Sequence, residues 1–219
     1  MLIVTLAGGI GSGKSTVAAA LAECGARLLS LDDVARDVLS PGEEAVREVG
    51  DLWPEAVREG KIDRAALARI VFDDAAALAR LNAVVHPRTW ERAQAQLASW
   101  REESLQAQSA REFVVVVELA LLAGSPYQDA YHGTIVVDAP EDVRVLRLVD
   151  SRGMDEADAR ARIASQTPAS RVRELADVVV DNGGSLEDAA RAARELWEGW
   201  LVPYAANMRE GRRVFGSEA

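Results

Sequence analysis

Leu2-Ile-Val-Thr-Leu-Ala7 runs directly into Gly8-Gly-Ile-Gly-Ser-Gly-Lys-Ser15, and the chain continues as Thr16-Val-Ala-Ala-Ala-Leu-Ala-Glu23. The first six residues are a short, nearly continuous apolar run, the pattern of a strand buried on both faces of a parallel sheet. A glycine-rich turn follows, and then an alanine-rich helix from Ser15 to Glu23. A strand, Gly8-x-x-x-x-Gly13-Lys14-Ser15 and a helix, in that order, make the phosphate-loop pattern. Glycines let the backbone curl until successive N–H groups point inward at a phosphate. The start of the helix adds its positive end. Lys14 can bridge β- and γ-phosphate oxygens, and the Ser15 hydroxyl can ligate Mg²⁺. The expectation is an ATP site built from Gly9, Gly11, Ser12, Gly13, Lys14, Ser15 and Thr16.

Outward from the loop, further apolar runs at residues 26–31, 113–117, 134–137 and 177–180 predict four more strands. Residues 64–72 carry Ala66, Leu67, Ile70 and Val71 at helical spacing, with Asp63 as a candidate N-cap. Residues 88–108 read as a long polar helix, and 141–151, 155–165 and 185–201 as three more, the last opened by a capping-box-like Ser185-x-x-Asp188. Alternating strands and helices imply an α/β fold, a parallel sheet covered on both faces. Residues 33–112 stand out as a helical insertion able to supply a second substrate pocket. Residues 151–175, with Arg152, Arg160, Arg162, Arg171 and Arg173, are predicted to be a mobile lid over ATP. The expected layout is one domain over 1–201 and a flexible tail over 202–219.

Composition narrows the function. The 219 residues carry a net charge of -10, which argues against nucleic acid and against anionic membrane surfaces as partners. A single cysteine, Cys24, fits a reducing cytoplasm and reads as a small core residue on an apolar helix face. The chain shows no signal-peptide pattern and no apolar stretch long enough to span a bilayer. His86 and His132 lie far apart, so no transition-metal site is expected. Lysine occurs only at Lys14 and Lys61, which makes the one in the loop more informative.

Asp32 follows the second strand, where open α/β sheets place their ligand crevice. A carboxylate there can orient or deprotonate an attacking hydroxyl, hold a magnesium shell, or cap the helix predicted at 34–39. Asp33 is the better placed of the two as that cap. The run Leu6-Ala-Gly-Gly-Ile-Gly-Ser-Gly-Lys-Ser-Thr-Val-Ala18 resembles the start of the dephospho-CoA kinases. Leu31-Asp-Asp-Val-Ala-Arg36, Ile62-Asp-Arg-Ala-Ala-Leu67, Val71-Phe-Asp73, Val85-His-Pro87, Arg147, Arg152, Arg162-Ile163, Gln166, Ala176-Asp177 and Asp181-Asn-Gly-Gly-Ser185 resemble that family in order and spacing, over about residues 2–201.

The resemblance implies a P-loop kinase fold with a CoA-side helical insertion and a helical lid. It implies transfer of the ATP γ-phosphoryl group to the ribose 3'-hydroxyl of dephospho-CoA, the last step of coenzyme A synthesis, with Mg²⁺ and no obligate protein partner. Asp32 would take the hydroxyl proton, and Arg147 and Arg152 would steady the transferring charge. Asn182 would lie near adenine, and His86 would belong to the acceptor pocket. Taken alone, His86 before Pro87 reads as a helix-end residue. Departures from the family pattern are Ser30 in place of a first aspartate, Ala120 in place of proline, Ala123-Gly124 in place of Phe-Glu, and Arg144 where glutamine is frequent. The altered 118–124 segment keeps two alternatives open: a nucleoside-monophosphate kinase-like enzyme, in which Asp32 would be idle, and a nucleotide-binding protein with a degenerate acceptor site.

Overall fold

The computed structural model describes residues 1–72, 74–106, 113–119 and 131–210. The expectations that rest on Asp73, residues 107–112, Ala120–Gly124 and the end of the tail lie outside these residues. Contacts divide the chain into two compact units, residues 1–29 with 101–219, and residues 30–100.

The first unit is built on β1 (Leu2–Ala7), all six residues of which are buried, as the unbroken apolar run requires. α1 (Lys14–Glu23) follows the phosphate loop, and β2 (Arg27–Ser30) follows α1. β5 (Val114–Glu118) and β6 (Gly133–Asp138) pair with β1 on either side, and β7 (Val178–Asp181) pairs with β6. These three pairings are parallel, in register Leu2 with Val114, Val4 with Gly133, and Val137 with Val180. The strand order is β2-β5-β1-β6-β7, so β1, which delivers the loop, is central. Leu2, Val4, Leu6, Val17, Leu21, Val114 and Ile135 pack with Ala189, Ala193, Trp197 and Leu201 in one core. Truncating Leu6 to Ala would cost about 2–5 kcal/mol.

The predicted strands match the observed ones to within one or two residues. The C-terminal helix is longer than expected. α9 (Leu186–Leu196) opens with Ser185 and Asp188 bonded reciprocally, which holds the Asp188 carboxyl down at about 2. A π turn, Trp197–Leu201, then leads into α10 (Val202–Arg209). Residues 202–209, expected in a flexible tail, are therefore helical, and Ala205 is buried against the core. In an unbroken α-helix Pro203 would leave the Gly199 carbonyl without its donor, and the wider turn ahead of it absorbs that defect.

The second unit holds α2 (Leu31–Val38), α3 (Glu44–Leu52), a hairpin of β3 (Val57–Arg58) and β4 (Lys61–Ile62), α4 (Arg64–Phe72) and most of α5 (Ala75–Gln106). Val38, Val49, Trp53, Ala56, Leu67 and Val84 form its core. α4 has the predicted bounds, with Asp63 accepting from Ala66 N–H at 3.0 Å. The hairpin was not predicted. Its strands are two residues long, and its turn puts Glu59 at φ 51 and Gly60 at φ 72, a primed turn without the usual Asn-Gly signal.

α5 corrects the reading of His86 as a helix-end residue, because the helix runs through Pro87. Proline removes one backbone donor. The carbonyl it leaves without a helical donor is Ala83 O, and on the next two carbonyls Arg88 Nη1 donates to Val84 O (2.9 Å) and Thr89 Oγ1 to Val85 O (2.9 Å).

Candidate active site

The loop between β1 and α1 curls because Gly11 and Gly13 adopt φ of 75° and 85°. Gly13 is also the residue preceding the helix, and any side chain on it would collide with the Asn182 amide. A Cβ on Gly9 would lie 2.5 Å from Arg144 Nη2. Four carbonyl oxygens of the turn are engaged. Gly9 O accepts from Ser12 N–H, Gly13 O from Thr16 and Val17 N–H, and Ile10 O from Arg144 Nε at 2.8 Å. Ser12 O takes Arg147 Nη1 (3.3 Å) and Asn182 Nδ2 (2.7 Å). A carbonyl dipole repels an anion, so committing these oxygens elsewhere leaves the inner surface of the turn to N–H groups and the start of α1.

Lys14 donates from Nζ to Leu119 O at 2.7 Å, beside the carboxyl end of β5. Ser15 is exposed in the first turn of α1. Ser12 Oγ and Asn182 Oδ1 are buried without a hydrogen-bond partner among the described residues. Asn182 is 3% exposed, and its main-chain N–H continues the sheet by donating to Asp138 O. The side chain expected near adenine thus clamps the loop itself.

α6 (Glu141–Arg152) flanks the turn. Arg147, on its loop-facing side, also donates from Nη2 to Gly184 O at 3.0 Å. Arg152 is exposed in the last turn of α6 and makes no ion pair among the described residues. The segment expected to be a lid contains α7 (Glu156–Ala164) and α8 (Ala169–Arg173). Ala159 and Ile163 of α7 pack on Val145, Leu148 and Ile10. Gln166, just past α7, accepts from Ile10 N–H (2.9 Å) and from Arg144 Nη2 (2.9 Å). Arg173 donates to Asp138 Oδ2 at 2.5 Å, at the end of β6. Arg160 pairs with Glu141, Asp142 and Glu156, and Arg171 with Glu174, so these two serve the surface.

Asp32, Asp33 and His86 belong to the second unit. The helix starts at Leu31, earlier than predicted, and its cap is Ser30, whose hydroxyl accepts from Asp33 N–H at 3.2 Å. Asp33 is therefore in the first turn, paired with Arg36. Asp32, also in that turn, is exposed two residues beyond β2. His86 is exposed in mid-helix.

In the sequence Arg144 stands only as a departure from the family pattern, with no role. A signal was present, since Arg144, Val145 and Leu148 share one face of α6 and all are buried, Arg144 to 8% exposure. Burial lowers the pKa of its guanidinium.

The family model described as dephospho-CoA kinase matches residues 2–188. A dephospho-CoA kinase of Thermobifida fusca is 42% identical over 200 residues, covering 90% of this chain and 96% of that protein. One from Mycobacterium tuberculosis is 38% identical over 212 residues, covering 96% of this chain but only 50% of that longer protein. Among solved structures, TT1252 of Thermus thermophilus superposes with a TM-score of 0.76 at 36% identity, covering 91% of this chain and 97% of that one. The dephospho-CoA kinase of Campylobacter jejuni shares the fold, with a TM-score of 0.62 at 21% identity over 92% of this chain and 97% of that one.

Proposed function

The chain belongs to the dephospho-CoA kinase family, and from that membership we propose that it transfers the γ-phosphoryl group of ATP to the ribose 3'-hydroxyl of dephospho-CoA, giving coenzyme A and ADP. It is a phosphotransferase with an alcohol acceptor. The observation that carries this reading is the family match over residues 2–188, with the phosphate loop intact inside it.

The work asked of the protein is positioning and charge stabilisation. The N–H groups of Gly11, Gly13, Lys14 and Ser15 would receive the phosphates, and Lys14 Nζ would leave the Leu119 carbonyl for β- and γ-oxygens. Arg147 holds the loop through Ser12 O, and Arg152, five residues on, would steady the transferring group. Asp32 would accept the hydroxyl proton as the new bond forms. His86 would line the acceptor side.

Mg²⁺ is part of the same proposal. The exposed Ser15 hydroxyl is a hard oxygen donor at the start of α1, which suits an ion that keeps most of its waters and takes phosphate oxygens. When bound, such an ion neutralises charge on the β- and γ-phosphates. No described helix is long and apolar enough to cross a membrane. The lone cysteine suits a reducing compartment, and a cytoplasmic location without nucleic-acid, membrane or obligate protein partners completes the proposal.

The test is ATP consumption by the purified chain with and without dephospho-CoA. Turnover that requires dephospho-CoA and yields coenzyme A is the expected result. Turnover with nucleoside monophosphates alone would sink the acceptor assignment. Nucleotide binding without turnover on any acceptor would point to a binding protein.

A further inference from the structure

We infer that Arg144 is a positioning residue for nucleotide binding: its buried guanidinium, shared between the Ile10 carbonyl and the Gln166 side chain, holds the phosphate loop in shape and ties that shape to the end of α7. The inference rests on the nucleotide-binding part of the proposed function and is independent of the acceptor.

Three groups close a ring. Arg144 Nε donates to Ile10 O at 2.8 Å, Arg144 Nη2 to Gln166 Oε1 at 2.9 Å, and Ile10 N–H to the same Gln166 oxygen at 2.9 Å. Both main-chain polar groups of Ile10 are thus held by side chains from outside the loop. That fixes the peptides on either side of Ile10, and with them the direction of the next amide. The main chain of α6 adds to this, because Arg144 O lies 2.7 Å from where a Cβ on Gly11 would stand. Gly9 accommodates the guanidinium only because it has no side chain.

The charge matters as well as the geometry. Among the described residues no carboxylate lies within ion-pair distance of Arg144, and Asp138 and Glu141 act on it only from farther away. A buried cation whose contacts are neutral oxygens keeps its positive potential. It is directed at a loop whose ligand is a polyanion.

A residue that merely filled the core would affect stability alone. A brace also affects affinity, and its two arms are not independent. The experiment compares the full chain with Arg144→Lys, Arg144→Ala, Gln166→Leu and the double variant Arg144→Ala/Gln166→Leu. The readouts are ADP affinity by calorimetric titration, amide exchange of residues 8–13, and thermal midpoint. Losing a hydrogen bond to a charged group predicts ADP binding weaker by about 10- to 100-fold in Arg144→Ala.

Arg144→Lys should recover part of this, since it keeps the charge but reaches one acceptor. Gln166→Leu should weaken binding in the same direction, and the double variant should lose less than the sum of the two single losses. Loop exchange should quicken in every variant. Native ADP affinity and native loop exchange in a folded Arg144→Ala overturn the inference. Should that variant fail to fold, the same result in Gln166→Leu overturns it, as do strictly additive losses in the double variant. A wild-type chain that binds ADP but does not act on dephospho-CoA would defeat the acceptor assignment and leave the brace standing.

Discussion

Lys14 sits 2.7 Å from the Leu119 carbonyl, a neutral acceptor that its ammonium can exchange for phosphate oxygens. Its part is charge at the phosphates, so Lys14→Ala should fold normally, with a thermal midpoint near that of the wild type. Loss of one preorganised donor should lower turnover about 10²- to 10³-fold, and near-native turnover would refute its assignment. Asp32 and Asp33 allow a paired test on adjacent residues of one helical turn. Removing a general base costs about 10²- to 10⁴-fold, so Asp32→Asn should lose turnover on that scale while ATP affinity holds. Asp33→Asn should lose far less, because Asp33 faces Arg36. Native turnover in both variants would make Asp32 structural. At this scale the loop was readable because its spacing is fixed by the shape of a phosphate. The cap was misassigned because Ser30, Asp32 and Asp33 are all good caps, and local propensity does not choose among them. Arg144 was missed because an arginine reads as surface until its neighbours at helical spacing are seen to be buried.

At the scale of elements, the segment of α7 and α8 is held unevenly. α7 buries Ala159 and Ile163 on α6, whereas no residue of α8 is buried. If this segment closes over nucleotide, a nonhydrolysable ATP analogue should slow amide exchange across residues 151–175, most strongly in α8, and unchanged exchange there would count against a lid. Strands and most helices were legible because apolar period alone defines them. The π turn, the hairpin at 57–62 and the passage of α5 through Pro87 were not. Each depends on tertiary packing, which no local pattern encodes.

Across the whole molecule, His132 joins the central sheet to acid stability. Its Nδ1 accepts from Ile3 N–H at 3.0 Å, and burial holds the imidazole below its ordinary value of 6.5. The unfolded chain therefore takes up a proton that the folded chain resists. The contribution of His132 is complete above that ordinary value and declines as pH falls below it. Urea denaturation at about pH 7.5 and pH 5.5 should show lower stability at the acid end, and His132→Asn should reduce that difference. A difference unchanged by the substitution would assign it to other groups. The parallel sheet flanked by helices was legible in the sequence, while the boundary at residues 30–100 came from contacts. That boundary cuts through α5, of which the sequence pattern presents only the part from residue 88 onward as a helix.

A chain of 219 residues with lysines only at positions 14 and 61 offers an acylating reagent two side-chain amines, and one of them lies in the phosphate loop. Lys61 is exposed on the short hairpin and serves as an internal standard. Mass spectrometry of the acylated chain then becomes an occupancy gauge: nucleotide should suppress modification at Lys14 and leave Lys61 unchanged, without radiolabel, coupled enzyme or acceptor.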